Sequence, residues 1–161
     1  MMRFLTSIIT CTVSAAALGA DLPKRAAGLW EEKVSSSAGP GTASHRICVD
    51  DRLTDFLKGA GVCSKQEVRP QPDGYVIEAI CKHGDSTSRT LTTVTGNLKQ
   101  AYTAEMRSTH EPAFMGVKES RMTVNARLLG PCPAGMRGGD VTSSDGTKYN
   151  FYELEKGVMP K

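Results

Sequence analysis

From Cys63 to Leu129 the chain alternates apolar and polar residues between turn-forming clusters, and this pattern confines it to antiparallel β-structure. In Tyr75–Lys82, Tyr75, Ile77, Ala79 and Cys81 share one face. In Ala101–Thr109, Tyr102, Ala104 and Met106 oppose Thr103, Glu105 and Arg107. In Lys118–Leu129, Met122, Val124, Ala126 and Leu128 oppose Arg121, Thr123, Asn125 and Arg127. Pro72-Asp73-Gly74, His83-Gly84-Asp85 and Gly96-Asn97 punctuate the run, with a longer loop at Glu111–Gly116. Proline presets φ and glycine accepts positive φ, so these are turn positions for a physical reason. Ser64–Pro70 and the Thr-rich Ser86–Thr95 complete the series. Upstream, Gly28–Ser35 and Ser44–Val49 read as two further strands around a Ser/Gly/Pro/Ala loop, with Trp30, Glu32 and Val34 on one face of the first.

One segment breaks the period. After Asp50-Asp51, which offers a helix N-cap, Leu53, Phe56, Leu57 and Ala60 fall at i, i+3, i+4 and i+7. Gly59 and Gly61 end the stretch. A helix of about ten residues needs tertiary packing, and the apolar side of the sheet is the surface available to it. The expected fold is mainly β (α+β): a curved antiparallel meander or half-barrel of about six to seven strands, with one short helix packed in the concavity. Beyond Cys132, residues 137–161 are expected to form a small hairpin around Ser144-Asp145-Gly146 or a flexible tail.

Residues 1–20 carry the marks of a secretory signal peptide: Arg3, an apolar stretch from Phe4 to Val13, and small residues up to Ala20. A lipoprotein signal ending at Cys11 is the rival, but it leaves too short an apolar stretch. Export implies a periplasmic protein, with secretion as the alternative. Residues 21–136 then form one disulfide-stapled β-domain. Losing Arg3 lowers the net charge from +3 to +2, which gives no reason to expect a nucleic-acid partner. No transmembrane segment is expected in the mature chain.

The mature chain keeps Cys48, Cys63, Cys81 and Cys132, an even set that reads as two disulfides in an oxidising compartment. No C-x-x-C spacing occurs and His45, His83 and His110 are scattered, so no metal site is expected. Cys63 opens one strand and Cys81 closes the next, nearly opposite across the Pro72 turn. Cys132 follows a strand that ends at the other end of the sheet. A ten-residue strand is roughly 33 Å long, and bridged Cα atoms lie within about 7 Å. The expected pairs are Cys63–Cys81 and Cys48–Cys132, the second requiring the strand before Asp50 to end at that far end.

Gly28-Leu29-Trp30-Glu31, the four cysteines in this order, and Leu129-Gly130-Pro131-Cys132-Pro133-Ala134-Gly135-Met136 followed by Gly139-Asp140 resemble a family of small exported proteobacterial proteins of unknown function. The resemblance spans about residues 22–142. It implies a periplasmic setting, and it supplies no catalytic residues.

Enzyme signatures are wanting. No G-x-S-x-G elbow, P-loop, dinucleotide fingerprint or calcium loop occurs. Glu31 and Glu32 alternate to opposite faces, and Asp50-Asp51 serves as a cap. No catalytic residue and no cofactor is expected. Arg89, Arg107, Arg121 and Arg127 read as a solvated outer face or, more sharply, as a patch for an anionic envelope polymer. Trp30, Phe56 and Tyr102 are the candidate ligand-facing aromatics. The preferred function is a non-enzymatic binding or interaction module of the cell envelope. It would take a protein partner at a sheet edge or a small apolar ligand in the concavity. The alternatives are an envelope-component hydrolase using a His/carboxylate pair, and an inhibitor or folding factor for another exported protein.

Overall fold

The computed structural model describes residues 23–39, 41–52 and 62–154. The expected signal peptide and the expected helix with Phe56 therefore lie outside the described residues, as does the end of the chain from 155 onward.

The described chain is one nine-stranded antiparallel sheet: β1 (Gly28–Ser36), β2 (Gly41–Val49), β3 (Val62–Gln71), β4 (Gly74–His83), β5 (Ser86–Asn97), β6 (Ala101–Phe114), β7 (Val117–Gly130), β8 (Asp140–Ser143) and β9 (Lys148–Asn150). A short helix, α1 (Phe151–Leu154), follows. The spatial order is β3-β4-β5-β6-β7-β1-β2-β8-β9. The sheet is open, with β3 and β9 as its edges.

Two expectations need correction. The strand count is nine rather than six to seven, because Asp140–Ser143 and Lys148–Asn150 pair as a hairpin and attach to β2. The sheet is also not a simple meander. Strands β3 to β7 follow one another, but β1 pairs with β7, with Trp30 opposite Leu128 and Val34 opposite Val124. The Glu111–Gly116 segment is strand rather than loop up to Phe114, with the β6–β7 register shifting between Thr109 and Phe114. Met115-Gly116 makes the turn, both with positive φ.

One face of the sheet is dry. Trp30, Ile47, Val49, Ile77, Val94, Tyr102, Ala104, Val124, Ala126 and Val141 form one buried cluster. Inward-facing residues of β1, β2 and β4 to β8 enter it, and neighbours two apart on one strand, such as Ile47 and Val49 or Val124 and Ala126, enter together as the pleat requires. The hairpin turns hold their strands very close. A Cβ on Gly74, at φ +155°, would meet the Val94 carbonyl oxygen at 1.9 Å, so only glycine fits this end of β4.

Both disulfide-distance pairs lie at strand ends. Cys48 and Cys132 have Sγ atoms 1.95 Å apart, and Cys63 and Cys81 2.11 Å apart. Cys48 reaches Cys132 because β2 lies beside β1, which lies beside β7, so the C-terminal ends of β2 and β7 fall at the same end of the sheet.

Candidate functional site

Two constellations stand apart from ordinary sheet packing, one on each face.

The first lies on the dry face. Glu32 projects inward between Trp30 and Val34, and it is buried. His45, directly opposite on β2, places Nε2 2.9 Å from Glu32 Oε2. The Arg25 guanidinium donates to Glu32 Oε1 and to the Tyr102 hydroxyl, the latter at 3.1 Å. Burial alone would raise the Glu32 pKa, but the His45 hydrogen bond and the Arg25 charge outweigh it, and the carboxyl sits below its usual range. Burial pushes the Tyr102 hydroxyl up to about 12. Tyr149 is also raised, first by burial and then by the Glu32 charge. Trp30 Nε1 donates to the Ala26 carbonyl at 2.9 Å, and the Ala26 amide donates to Leu98 O at 3.0 Å. Arg25 and Ala26 thus fasten the segment before β1 to the core.

Of the three expected ligand-facing aromatics, Trp30 and Tyr102 come together with ring centroids 5.5 Å apart. Trp30 is 0 % exposed and Tyr102 5 %. Among the described residues, His45 is the one histidine that meets a carboxylate. His83 and His110 flank the Phe114 ring, at 5.8 and 6.0 Å between centroids. Both oxygens of Glu32 are already engaged. Ser143, opposite His45 on β8, makes no side-chain hydrogen bond to it. The group thus has the base and carboxylate of a hydrolytic site, and among the described residues no hydroxyl or thiol is hydrogen-bonded to the base. Among the described residues no three His, Cys, Asp or Glu side chains gather as a metal set.

The second constellation is on the outer face. The register places Glu78, Leu91, Arg107 and Arg121 in one row across β4 to β7. Ile80, Arg89, Thr109 and Glu119 form the next row. Two residues along a strand separate the rows by about 7 Å, and three strand spacings give a length of about 14 Å. Between them runs a groove of about 730 Å³, floored by Ala79, Thr90, Ser108 and Ser120.

The charge in this groove is uneven. At the β3–β4 end, Lys65 and Arg69 are compensated: Lys65 Nζ lies 3.4 Å from Glu78 and 3.1 Å from Glu67, and Arg69 lies 2.6 Å from Glu78. At the other end Arg107 and Arg121 sit directly opposite each other, with Arg89 diagonal to Arg107. Among the described residues none of these three guanidiniums is in an ion pair. Glu119 is the one carboxylate lining that end. Like charges directly opposite destabilise a sheet, so this clustering is a cost that packing does not explain. Arg127, the fourth arginine of the expected patch, is spent on Glu31 at 2.9 Å.

A family model described as a protein of unknown function, DUF3617, matches residues 25–132. The chain belongs to the DUF3617 family. Its matched span opens at Arg25, which holds Glu32, and closes at Cys132, which holds Cys48. The groove and the Arg25, Glu32, His45 and Tyr102 group of this DUF3617 member lie within it. No curated protein and no solved structure matches the chain.

The outer groove was only half legible. Arg89, Arg107 and Arg121 stood out as a basic set, but Leu91 and Ile80 did not, because a strand's exposed apolar positions carry no signal until register groups them. The Glu32–His45 pair had a signal that went unread. A carboxylate sharing a face with Trp30 and Val34 must find an inward partner.

Proposed function

We propose that this chain is an exported, periplasmic, non-enzymatic binding module that holds an anionic ligand in the outer-face groove at Arg89, Arg107 and Arg121. The apolar stretch and small residues up to Ala20 support export, and the four cysteines at disulfide distance fit an oxidising compartment. One observation carries the binding reading. Three arginines gather on adjacent strands at a groove with no ion-pair partner among the described residues, although Arg25, Arg69 and Arg127 are paired with carboxylates. Guanidinium groups present fixed donor forks that suit phosphoryl and carboxylate oxygens.

The sheet edges support a partner strand less well. The β3 edge carries a register shift between Cys63 and Lys65 and ends near Pro70, and β9 is three residues long. Bulges, proline and short strands are devices that discourage strand addition.

The test is a titration of the oxidised, ¹⁵N-labelled mature chain with inorganic pyrophosphate, followed by NMR. Amide shifts concentrated at 89–91, 107–109 and 119–121, and lost in Arg89→Gln/Arg107→Gln/Arg121→Gln, are the expected result. Shifts that survive the triple substitution, or the absence of shifts at millimolar ligand, would remove the proposal.

A further inference from the structure

The anion-binding reading leaves half of the groove unexplained. Next to Arg107, Leu91 presents a large apolar side chain that is 42 % exposed. Ile80 stands in the facing row, and Ala79 forms the floor beside it. Leu91 is flanked by Glu78 on one side and Arg107 on the other, so neither row neighbour is apolar. A soluble polyanion has no use for an exposed leucine beside a half-buried isoleucine along its track. An uncharged apolar ligand has no use for three uncompensated arginines.

We infer, resting on that reading, that the ligand is a monomeric single-chain amphiphile with a phosphoryl headgroup. Its headgroup oxygens bind at Arg89, Arg107 and Arg121, and its acyl chain runs across the strands over Leu91 and Ile80 toward β3. Charge complementarity fixes the direction. The cationic end is over β6 and β7, whereas at the β3 end Lys65 and Arg69 are neutralised by Glu67 and Glu78. Three guanidiniums within a cross-strand pair and one diagonal suit a group with several acceptor oxygens. Size sets the layout: the arginines occupy the β5–β7 part of the roughly 14 Å between β4 and β7, so the first methylenes cross β5 and β4 over Leu91 and Ile80 and the rest of the chain extends toward β3.

Calorimetry on the oxidised mature chain separates the two halves of the claim. Butyl phosphate and dodecyl phosphate share a headgroup and differ by eight methylenes. A groove open on one side covers about half of each methylene, so dodecyl phosphate, held below its micelle concentration, should bind at least about 100-fold more tightly. Leu91→Gln/Ile80→Thr should reduce that ratio to below about 10-fold, with the loss falling mainly on dodecyl phosphate. Arg107→Gln/Arg121→Gln should weaken both ligands together. Far-ultraviolet circular dichroism confirms folding of these surface variants.

Equal affinity for the two phosphates would overturn the amphiphile and leave the anion site standing. Binding of neither would overturn both. Cosedimentation with phosphatidylglycerol vesicles, without binding of monomeric dodecyl phosphate, would replace the single-molecule ligand by a membrane surface.

Discussion

Replacing Glu32 by alanine tests whether the inward carboxylate is a structural keystone. The side chains of Arg25 and Glu32 are 11 % and 12 % exposed, so the pair is close to fully desolvated. Removing the carboxylate takes away the counter-charge that Glu32 supplies to Arg25 and the acceptor it supplies to His45. Breaking one side of a buried pair costs about 3–5 kcal/mol, much of a single domain's total of about 5–15 kcal/mol. Glu78→Ala is the control. Glu78 also holds two cations, but its side chain is 36 % exposed and those of Lys65 and Arg69 are 48 % and 45 %, so solvent screens the group and a much smaller loss is expected. Urea unfolding of the oxidised chain at pH 7, read through the single tryptophan Trp30, compares the two directly. Adding Arg25→Ala to Glu32→Ala should cost less than the sum of the two single changes, because the two side chains share one interaction. The pH dependence provides a second reading. The Glu32 carboxyl is depressed in the folded chain, so its contribution is complete above its ordinary pKa and is lost as pH falls through the depressed value. Glu32→Ala should flatten that acid slope. A loss no larger than that of the Glu78 control would refute the keystone argument.

Three further expectations follow from the same geometry. Removing the Cys48–Cys132 bridge, with its sequence separation of 84, should cost more than removing Cys63–Cys81, with its separation of 18. Chain entropy gives about 4.5 against 3.2 kcal/mol, measurable by urea unfolding of the Cys-to-Ala pairs. Gly74→Ala should lower stability by more than about 2 kcal/mol, because the new Cβ would have to displace the Val94 carbonyl; a thermal midpoint within a degree of the parent would contradict the turn geometry. Arg121→Thr, which removes the like-charge pair with Arg107, should stabilise the unliganded chain by a few tenths of a kcal/mol while weakening pyrophosphate binding.

How much of this was legible depended on how far apart in sequence the partners lie. Strands β3 to β7 are joined by short turns, so alternation and turn residues sufficed to place them. The β1–β7 pairing joins residues about a hundred positions apart, such as Trp30 and Leu128. No local pattern encodes it, and a meander was the natural default. The attachment of β8 to β2 was hidden for the same reason. The site followed the same rule. His45 faces Glu32 only because the hairpin register pairs Gly28 with Val49 and Ser36 with Gly41, and that register depends on a loop whose length the composition blurs. The basic residues were visible, but their separation into compensated Arg127 and uncompensated Arg107 and Arg121 needed the neighbouring strand to be known.

The C-terminal hairpin has a consequence for how such chains vary. The family span ends at Cys132, yet the sheet continues through β8, which takes its hydrogen bonds from β2. Gly139 N is tied to Cys48 O at 2.8 Å and Tyr152 to Asp50, so the appended stretch is anchored to the rim it shields. A shorter relative lacking it would expose the nine-residue β2 as a bare flank. Such a relative must blunt that flank by other means, or else self-associate through it.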